Sequence, residues 1–256
     1  MKKNHEELIE KAAIALMKSD FAVGLTGAGI SAESGIPTFR GKNGLWSKFK
    51  AEELATPQAF KRNPNLVWEW YKWRMEKIFN TKPNLGHYAL VELEQLGILK
   101  YIITQNVDGL HQIAGSKFII ELHGSIRRGR CIKCRYIVAF DKPPRDIPPR
   151  CPECNNLLRP DVVWFGEPIP EDKLKRAIKL FSIADVALII GTSGVVQPAG
   201  YLPYITKEHG GIIIEINIRS SAITSIADIF INEKASYALT KIVSFIKNKT
   251  MKKSSK

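Results

Sequence analysis

The sequence predicts an α/β protein: a parallel sheet with helices on both faces, interrupted by two inserts that form a smaller lobe. Three observations predict it. Short apolar runs rich in β-branched residues alternate with stretches of helical periodicity, the order that builds a parallel sheet. Each run ends in glycine or polar residues (GAGIS, TQNVDG, HGS, GTS, EIN), and open α/β sheets bind ligands at the carboxyl ends of their strands. Two stretches break the alternation, one helical and rich in aromatics, the other holding all four cysteines.

In chain order, Leu8, Ile9, Ala12, Ala13 and Leu16 have the spacing of an amphipathic helix, with no uninterrupted apolar segment of the kind a signal peptide needs. Residues 21–26 read as a buried strand running into GAGIS. Gly35 and Pro37 end any helix there early. Residues 65–80 read as an aromatic-rich helix and 85–96 as another, preceded by Pro83. Residues 98–104 and 118–122 read as strands, 171–184 as a helix after Pro170, 186–190 and 212–216 as strands, 228–231 as a last strand and 235–247 as a closing helix. The boundaries expected are 1–37, 83–124 and 165–249 for the sheet domain, 38–82 for the helical insert, 125–164 for a zinc-binding insert and 250–256 for a flexible basic tail.

With 256 residues, 45% of them hydrophobic and 25% charged, the chain can bury a large core. No apolar run approaches the ~20 residues of a membrane helix. A cytoplasmic monomer without membrane contact is expected. The net charge of +13 favours anionic partners: phosphates, acidic proteins or nucleic acid. A generally basic proteome accounts for it equally well.

Gly27, Gly29 and Ala32 fit G-x-G-x-x-A after a strand, where glycines allow a tight turn and close approach to a pyrophosphate; alone the pattern also suits a plain turn. Taken with the strand order, it makes the sheet domain Rossmann-like. A hydride-transfer unit would continue into a long helix and a second strand, which Gly35 and Pro37 forbid. Gln105, Asn106 and Asp108 follow an apolar run and suit a ligand with an amide and sugar hydroxyls. His123 follows FIIEL and precedes Gly124. A lone histidine at a strand end is more often structural, but a second polar loop on a neighbouring strand makes this one a candidate general base. His5, His87, His111 and His209 lack that setting and read as structural or surface groups. Cys131-x₂-Cys134 and Cys151-x₂-Cys154, with sixteen residues between the pairs, have zinc-ribbon spacing. Four thiolates would fill a tetrahedral site and leave no position for substrate, so one zinc ion there is structural. Disulfides are the disfavoured alternative. The surrounding Arg127, Arg128, Arg130, Lys133 and Arg135 admit nucleic-acid binding, though a solvated basic face is the simpler reading. Tyr71 and Arg74 lie three apart on one helix face, where an arginine fork and a tyrosine hydroxyl can hold a carboxylate; an exposed arginine beside a core aromatic is the alternative.

Read together, GAGIS, TQNVDG and ELHG resemble the sirtuins, NAD-dependent protein-lysine deacylases, and the resemblance runs through nearly the whole chain. It implies that NAD is a co-substrate held by Gly27, Ala28, Gly29 and Ser31, by Phe39 and Arg40 of a loop over it, by Gln105, Asn106, Val107 and Asp108, by Gly191, Thr192 and Ser193, and by Asn217 and Ala235. Many members carry Asp at the position of Thr38. It implies catalysis by His123, Asn106 and Asp108: the acyl oxygen attacks C1′ of the nicotinamide ribose and releases nicotinamide, His123 removes a proton from a ribose hydroxyl whose oxygen attacks the imidate carbon, and water finishes the sequence to O-acyl-ADP-ribose and free lysine. Val162, Val163, Phe165 and Gly166 resemble the family's peptide-binding strand. The Tyr71/Arg74 pair resembles the class that removes succinyl and malonyl groups, with acetyl-lysine a further substrate. The partners implied are acylated-lysine proteins or peptides, DNA-associated proteins among them. Two other readings stay open: an NAD-dependent ADP-ribosyltransferase, and a non-catalytic ADP-ribose reader with a nucleic-acid-binding zinc ribbon.

Overall fold

A computed structural model describes residues 2–40 and 44–254. Met1, residues 41–43 and residues 255–256, which fall in the expected sheet domain, helical insert and basic tail, lie outside the described residues. The strands are β1 (Ala22–Thr26), β2 (Leu99–Thr104), β3 (Ile119–Glu121), β4 (Gly124–Cys131), β5 (Ile137–Ala139), β6 (Leu158–Val162), β7 (Val186–Ile190), β8 (Ile212–Ile216) and β9 (Ile229–Ile231). The helices are α1 (Lys2–Lys18), α2 (Ala28–Ala32), α3 (Ala51–Leu54), α4 (Pro57–Arg62), α5 (Pro64–Phe79), α6 (Leu85–Gln95), α7 (Leu110–Ala114), α8 (Glu171–Ile183), α9 (Leu202–Glu208) and α10 (Ala235–Ser254).

Six strands form a parallel sheet in the order β3-β2-β1-β7-β8-β9. Successive side chains of a strand point to opposite faces, and the two cores divide accordingly. Val186, Leu188 and Ile190 join α1, α6 and α10 on one face. Ala187 and Ile189, with Val23 and Leu25, join α8 and α9 on the other. Both faces are buried, which is why the strands read as continuous apolar runs.

Local chemistry fixes where the helices begin. Asn63 accepts from the Leu66 N–H at 3.1 Å and Pro64 opens α5, a good pairing because a first-turn N–H has no helical partner. Asn84 caps α6 in a reciprocal box with His87. The last helix differs from its expected end: it continues beyond 247 to Ser254. Lysine and methionine sustain a helix, and no Gly or Pro stops it. Among the described residues no helix is long and apolar enough to cross a membrane.

The two inserts share one core. The zinc-ribbon segment forms a three-stranded antiparallel sheet, β5-β4-β6, and α4 and α5 pack against it through Phe60, Val67, Trp68, Ile126, Leu158 and Val162. Trp68 is fully buried, and its indole Nε1 donates to the Leu158 carbonyl at 2.8 Å. Truncating a buried aromatic of this kind costs about 3–5 kcal/mol, so this side chain is a main fastening between the inserts.

Candidate active site

The sheet register sets the site. Thr26 pairs with Thr104 and with Ile190, Thr104 with Glu121, and Ile190 with Ile216. The residues one step beyond, Gly27, Gln105, Leu122, Gly191 and Asn217, therefore lie in a row at the carboxyl edge. Backbone bonds extend the sheet through that row: Gln105 N–H to Thr26 O, Gly27 N–H to Ile190 O, Gly191 N–H to Ile216 O. A cavity of about 1040 Å³ opens there, between the sheet and the insert lobe. It brings together every site residue expected from the sequence except Ser31, Asp108 and the cysteines.

Close packing of the first and fourth loops requires glycine. A Cβ on Gly29 would lie 2.6 Å from Gly191 Cα, and one on Gly27 would lie 2.8 Å from Gly191 O. Helix α2 spans only five residues, so its macrodipole is small, and the loop contact rather than a long helix shapes the glycine turn. Carboxamides bridge the loops. Asn106 Nδ2 donates to Gly27 O at 3.1 Å, Gln105 Nε2 to Thr192 Oγ1 at 2.9 Å and Asn217 Nδ2 to Thr192 O at 2.8 Å.

Ser31 and Asp108 sit behind this wall rather than in it. Asp108 is buried and accepts from Ser31 Oγ at 2.8 Å and from the Leu110 N–H at 2.9 Å. Burial raises its carboxyl pKa, opposed by those two donors and by Arg127 and Arg74. Asn106 Nδ2 also reaches Ser31 Oγ at 3.2 Å, so this layer supports Asn106 from below. His87 and His111 are interior too. Burial pushes His87 down to about 4, and burial with the neighbouring His87 pushes His111 down to about 3; both stay neutral at pH 7.

His123 ends the β3 segment and lines the cavity. Its Nδ1 lies 3.1 Å from the Gln105 carbonyl. A carbonyl only accepts, so the neutral ring carries its proton on Nδ1 and leaves the Nε2 lone pair free. Burial lowers its pKa from the ordinary value, against the Gln105 bond, which keeps it an acceptor near neutral pH. Gly124 follows with φ +78°, and a Cβ there would lie 2.1 Å from Asp161 O. Gly124→Ala should therefore push β6 off β4 and lower the melting temperature by several degrees, since each lost ~1 kcal/mol costs about 2–4 °C in a chain of this size. A thermal scan checks it; an unchanged melting point would refute the contact.

At the far end of the cavity Arg74 is buried among rings. Its guanidinium carbon is 5.0 Å from the Phe39 centroid, 4.8 Å from Trp70 and 5.7 Å from Tyr71. Among the described residues it has no carboxylate or carbonyl partner. Tyr71 Oη accepts from Trp164 Nε1 at 3.0 Å, and its own proton has no acceptor among the described residues.

The stretch expected as a peptide-binding strand is extended only in its first residues. Strand β6 stops at Val162. Beyond it the Trp164–Glu167 turn closes through Glu167 N–H to Trp164 O, with Glu167 Oε2 capping the Trp164 N–H and Arg159 pairing with Glu167. Gly166, at φ +86°, permits the turn. The N–H groups of Val163 and Phe165 already donate to His123 O and Ala55 O. Among the described residues the carbonyls of Val163, Phe165 and Gly166 accept no bond.

The four cysteine Sγ atoms lie within 4.8 Å of one another, three of the separations being 3.4–3.6 Å. Tetrahedral ligands at ~2.3 Å place sulfurs about 3.8 Å apart, so the cluster fits one zinc ion. Backbone N–H groups of Lys133 and Cys134 point at Cys131 Sγ, both at 3.4 Å, as a thiolate requires. The basic knuckle is largely spoken for. Arg128 pairs with Glu121 and Asp161, Arg130 with Asp161, and Arg127 donates to Asp108 O. Only Lys133 and Arg135 of that set stand exposed and unpaired.

Sequence reasoning missed several wall residues. Trp46, Val195 and Glu33 line the cavity; Val195 alone had a signal, its place just after GTS. Glu33 accepts from both the N–H and the hydroxyl of Ser236, a tie across 203 positions that no local pattern announces.

A family model described as the Sir2 family matches residues 27–198. The NAD-dependent protein deacylase of Pyrococcus furiosus is 60% identical over 238 residues, 91% of this chain and 95% of that protein. A solved Sir2 homologue in complex with NAD superposes with a TM-score of 0.89 at 51% identity, covering 94% of each chain. Another, Sir2Af2 bound to a myristoylated histone peptide, gives 0.79 at 38% identity, covering 96% of this chain and 99% of that one. With the strand-end loops, the histidine and the cysteine cluster all in place, the chain belongs to the Sir2 family.

Proposed function

We propose that this chain is an NAD-dependent protein-lysine deacylase that accepts acetyl-lysine and, through Tyr71 and Arg74, succinyl- and malonyl-lysine. One observation carries the reading: a histidine with a free Nε2 shares a single cavity with a glycine phosphate turn, bridging carboxamides and an unpaired arginine. NAD, when bound, supplies an electrophilic sugar carbon and a nicotinamide leaving group. Gly27 and Gly29 leave room for its pyrophosphate, and Gln105 and Asn106 face the amide and sugar from a fixed wall. His123 holds its ring by the Gln105 carbonyl and takes a ribose hydroxyl proton at Nε2. Orienting reactants in this way can supply much of a rate enhancement.

Incubation with NAD and acetyl-, succinyl- and myristoyl-lysine peptides, followed by mass spectrometry, tests it. Free lysine peptide with O-acyl-ADP-ribose is expected. A peptide heavier by ADP-ribose would make the chain a transferase, and no product at all would make it a reader.

The acyl preference rests on a buried guanidinium that makes no salt bridge among the described residues, Asp108 acting on it only from behind the wall. A charge-assisted bond to a carboxylate contributes about 1.5–3 kcal/mol. Arg74→Met should thus lower the succinyl-to-acetyl rate ratio roughly ten- to a hundredfold, and Tyr71→Phe by less. A ratio unmoved by Arg74→Met would remove the acid-reading role.

A further inference from the structure

The adenosine end of the cavity has a feature the deacylase reading leaves unused. Beyond β8 the chain runs Ile218, Arg219, Ser220 along the cavity rim, and Lys234 lies on the same rim. Arg219, Ser220 and Lys234 are exposed. Among the described residues neither cationic side chain has an acidic, carbonyl or aromatic partner, and the Ser220 hydroxyl has none either. The backbone N–H groups of Ile218, Arg219 and Ser220 likewise find no acceptor among the described residues. Their neighbours are bonded: Asn217 N–H to Ile231 O, Ala222 N–H to Ser193 O, Ser221 N–H to Thr224 Oγ1. Two cations, a hydroxyl and three consecutive amides are all donors.

The acid that could oppose an anion here points elsewhere. In many dinucleotide-binding sheets a strand-end carboxylate binds the adenosine ribose diol and excludes a phosphate, whereas a nearby arginine accommodates one. Here the strand-end acid is Glu215, fully buried. Its carboxylate accepts from Ser221 Oγ at 2.5 Å, Thr224 Oγ1 at 2.6 Å and Asn217 Nδ2 at 3.5 Å. It holds the 221–224 turn and leaves the diol position to Asn217. Three carboxylates line the cavity: Glu167 pairs with Arg159, Glu33 is bonded to Ser236, and Glu233 accepts from the Lys234 N–H.

We propose that Arg219, with Ser220 and Lys234, forms a phosphate subsite at the ribose end of the cavity, so that the chain binds adenosine nucleotides phosphorylated on the ribose in competition with NAD. This rests on the reading that the Gly191–Asn217 end holds the adenosine ribose. The same chemistry suits a 2′-phosphate, as in NADP⁺, or a 3′-phosphate, as in coenzyme A.

The full-length, zinc-loaded chain is titrated calorimetrically with ADP-ribose, NAD⁺, NADP⁺, coenzyme A and dephospho-coenzyme A. NADP⁺, coenzyme A or both should bind and be displaced by ADP-ribose; which does so assigns the 2′ or the 3′ position, and coenzyme A should bind more tightly than its dephospho form. Loss of a charge-assisted contact is worth about tenfold or more. Arg219→Glu should therefore weaken the phosphorylated ligand by at least about tenfold and leave ADP-ribose within about twofold, and Arg219→Lys should recover part of the loss. The binding should also weaken with salt more steeply than that of ADP-ribose. If ADP-ribose binds while neither phosphorylated ligand does, or if their binding ignores Arg219→Glu, the subsite is wrong. If ADP-ribose itself fails to bind, the dinucleotide reading of the cavity falls first and takes the subsite with it.

Discussion

His123→Ala should remove deacylation almost entirely while leaving the fold and dinucleotide binding in place. The ring is held by one backbone bond, to Gln105 O, and lines an open cavity, so its loss leaves no strained void. A positioned general base contributes typically 10²–10⁴-fold, and a drop of that order in the single-turnover rate is the expected result, with ADP-ribose affinity changed by less than a few-fold. The pH profile gives an independent check. Burial lowers the His123 pKa, and the base works only when neutral. Activity should then be flat through neutral pH and fall on the acid side, at a pH below the ordinary histidine value of about 6.5. An acid limb at or above that value, or sustained turnover in His123→Ala, would move the base elsewhere.

Removal of zinc should be the second large effect, although no cysteine lies in the cavity. The metal cluster ties the Cys131 end of β4 to the Cys151–Cys154 loop that leads into β6. At the other end of the same pair, Gly124 is opposite Val162, and Val163 N–H bonds His123 O. The register that the cluster fixes at one end thus places His123 beside Val163 at the other. Structural zinc sites contribute folding free energy directly. Chelation should release about one zinc per chain, abolish turnover and loosen the insert lobe. The sequence offers a clean reporter: all five tryptophans, Trp46, Trp68, Trp70, Trp73 and Trp164, pack in that lobe and none in the sheet domain. Their emission should shift to the red while far-ultraviolet dichroism from the sheet and its helices largely persists. A metal-free preparation with full activity and native emission would refute the role.

Much of the fold was legible because its signals are local. Buried parallel strands read as apolar runs, and Pro83 and Pro170 mark the approaches to α6 and α8. The loops at strand ends were legible as a site because polar groups after apolar runs must face a cleft or be wasted. Three things were not. The end of α10 was hidden because lysine-rich ends fit both a solvated tail and a helix, and only the absence of Gly and Pro distinguishes them. The depth of Asp108 and Ser31 was hidden because a carboxylate in a ligand loop and one bracing that loop from behind have the same sequence. The turn at 164–167 was hidden because it depends on Glu167 and Arg159, whose pairing is a matter of tertiary reach.

The shared core of the two inserts has a consequence for how acyl selectivity can change. Helix α5, bearing Tyr71 and Arg74, is bolted through Trp68 to the ribbon and not to the sheet. It meets the segment after α2 through the Arg74–Phe39 contact and the Trp70–Trp46 stack. If Tyr71 and Arg74 read the acyl group as proposed, drift in that helix retunes which modification is erased while the coenzyme grip stays constant, so that descendants of one ancestor can diverge in what they remove without relearning how to hold what they consume.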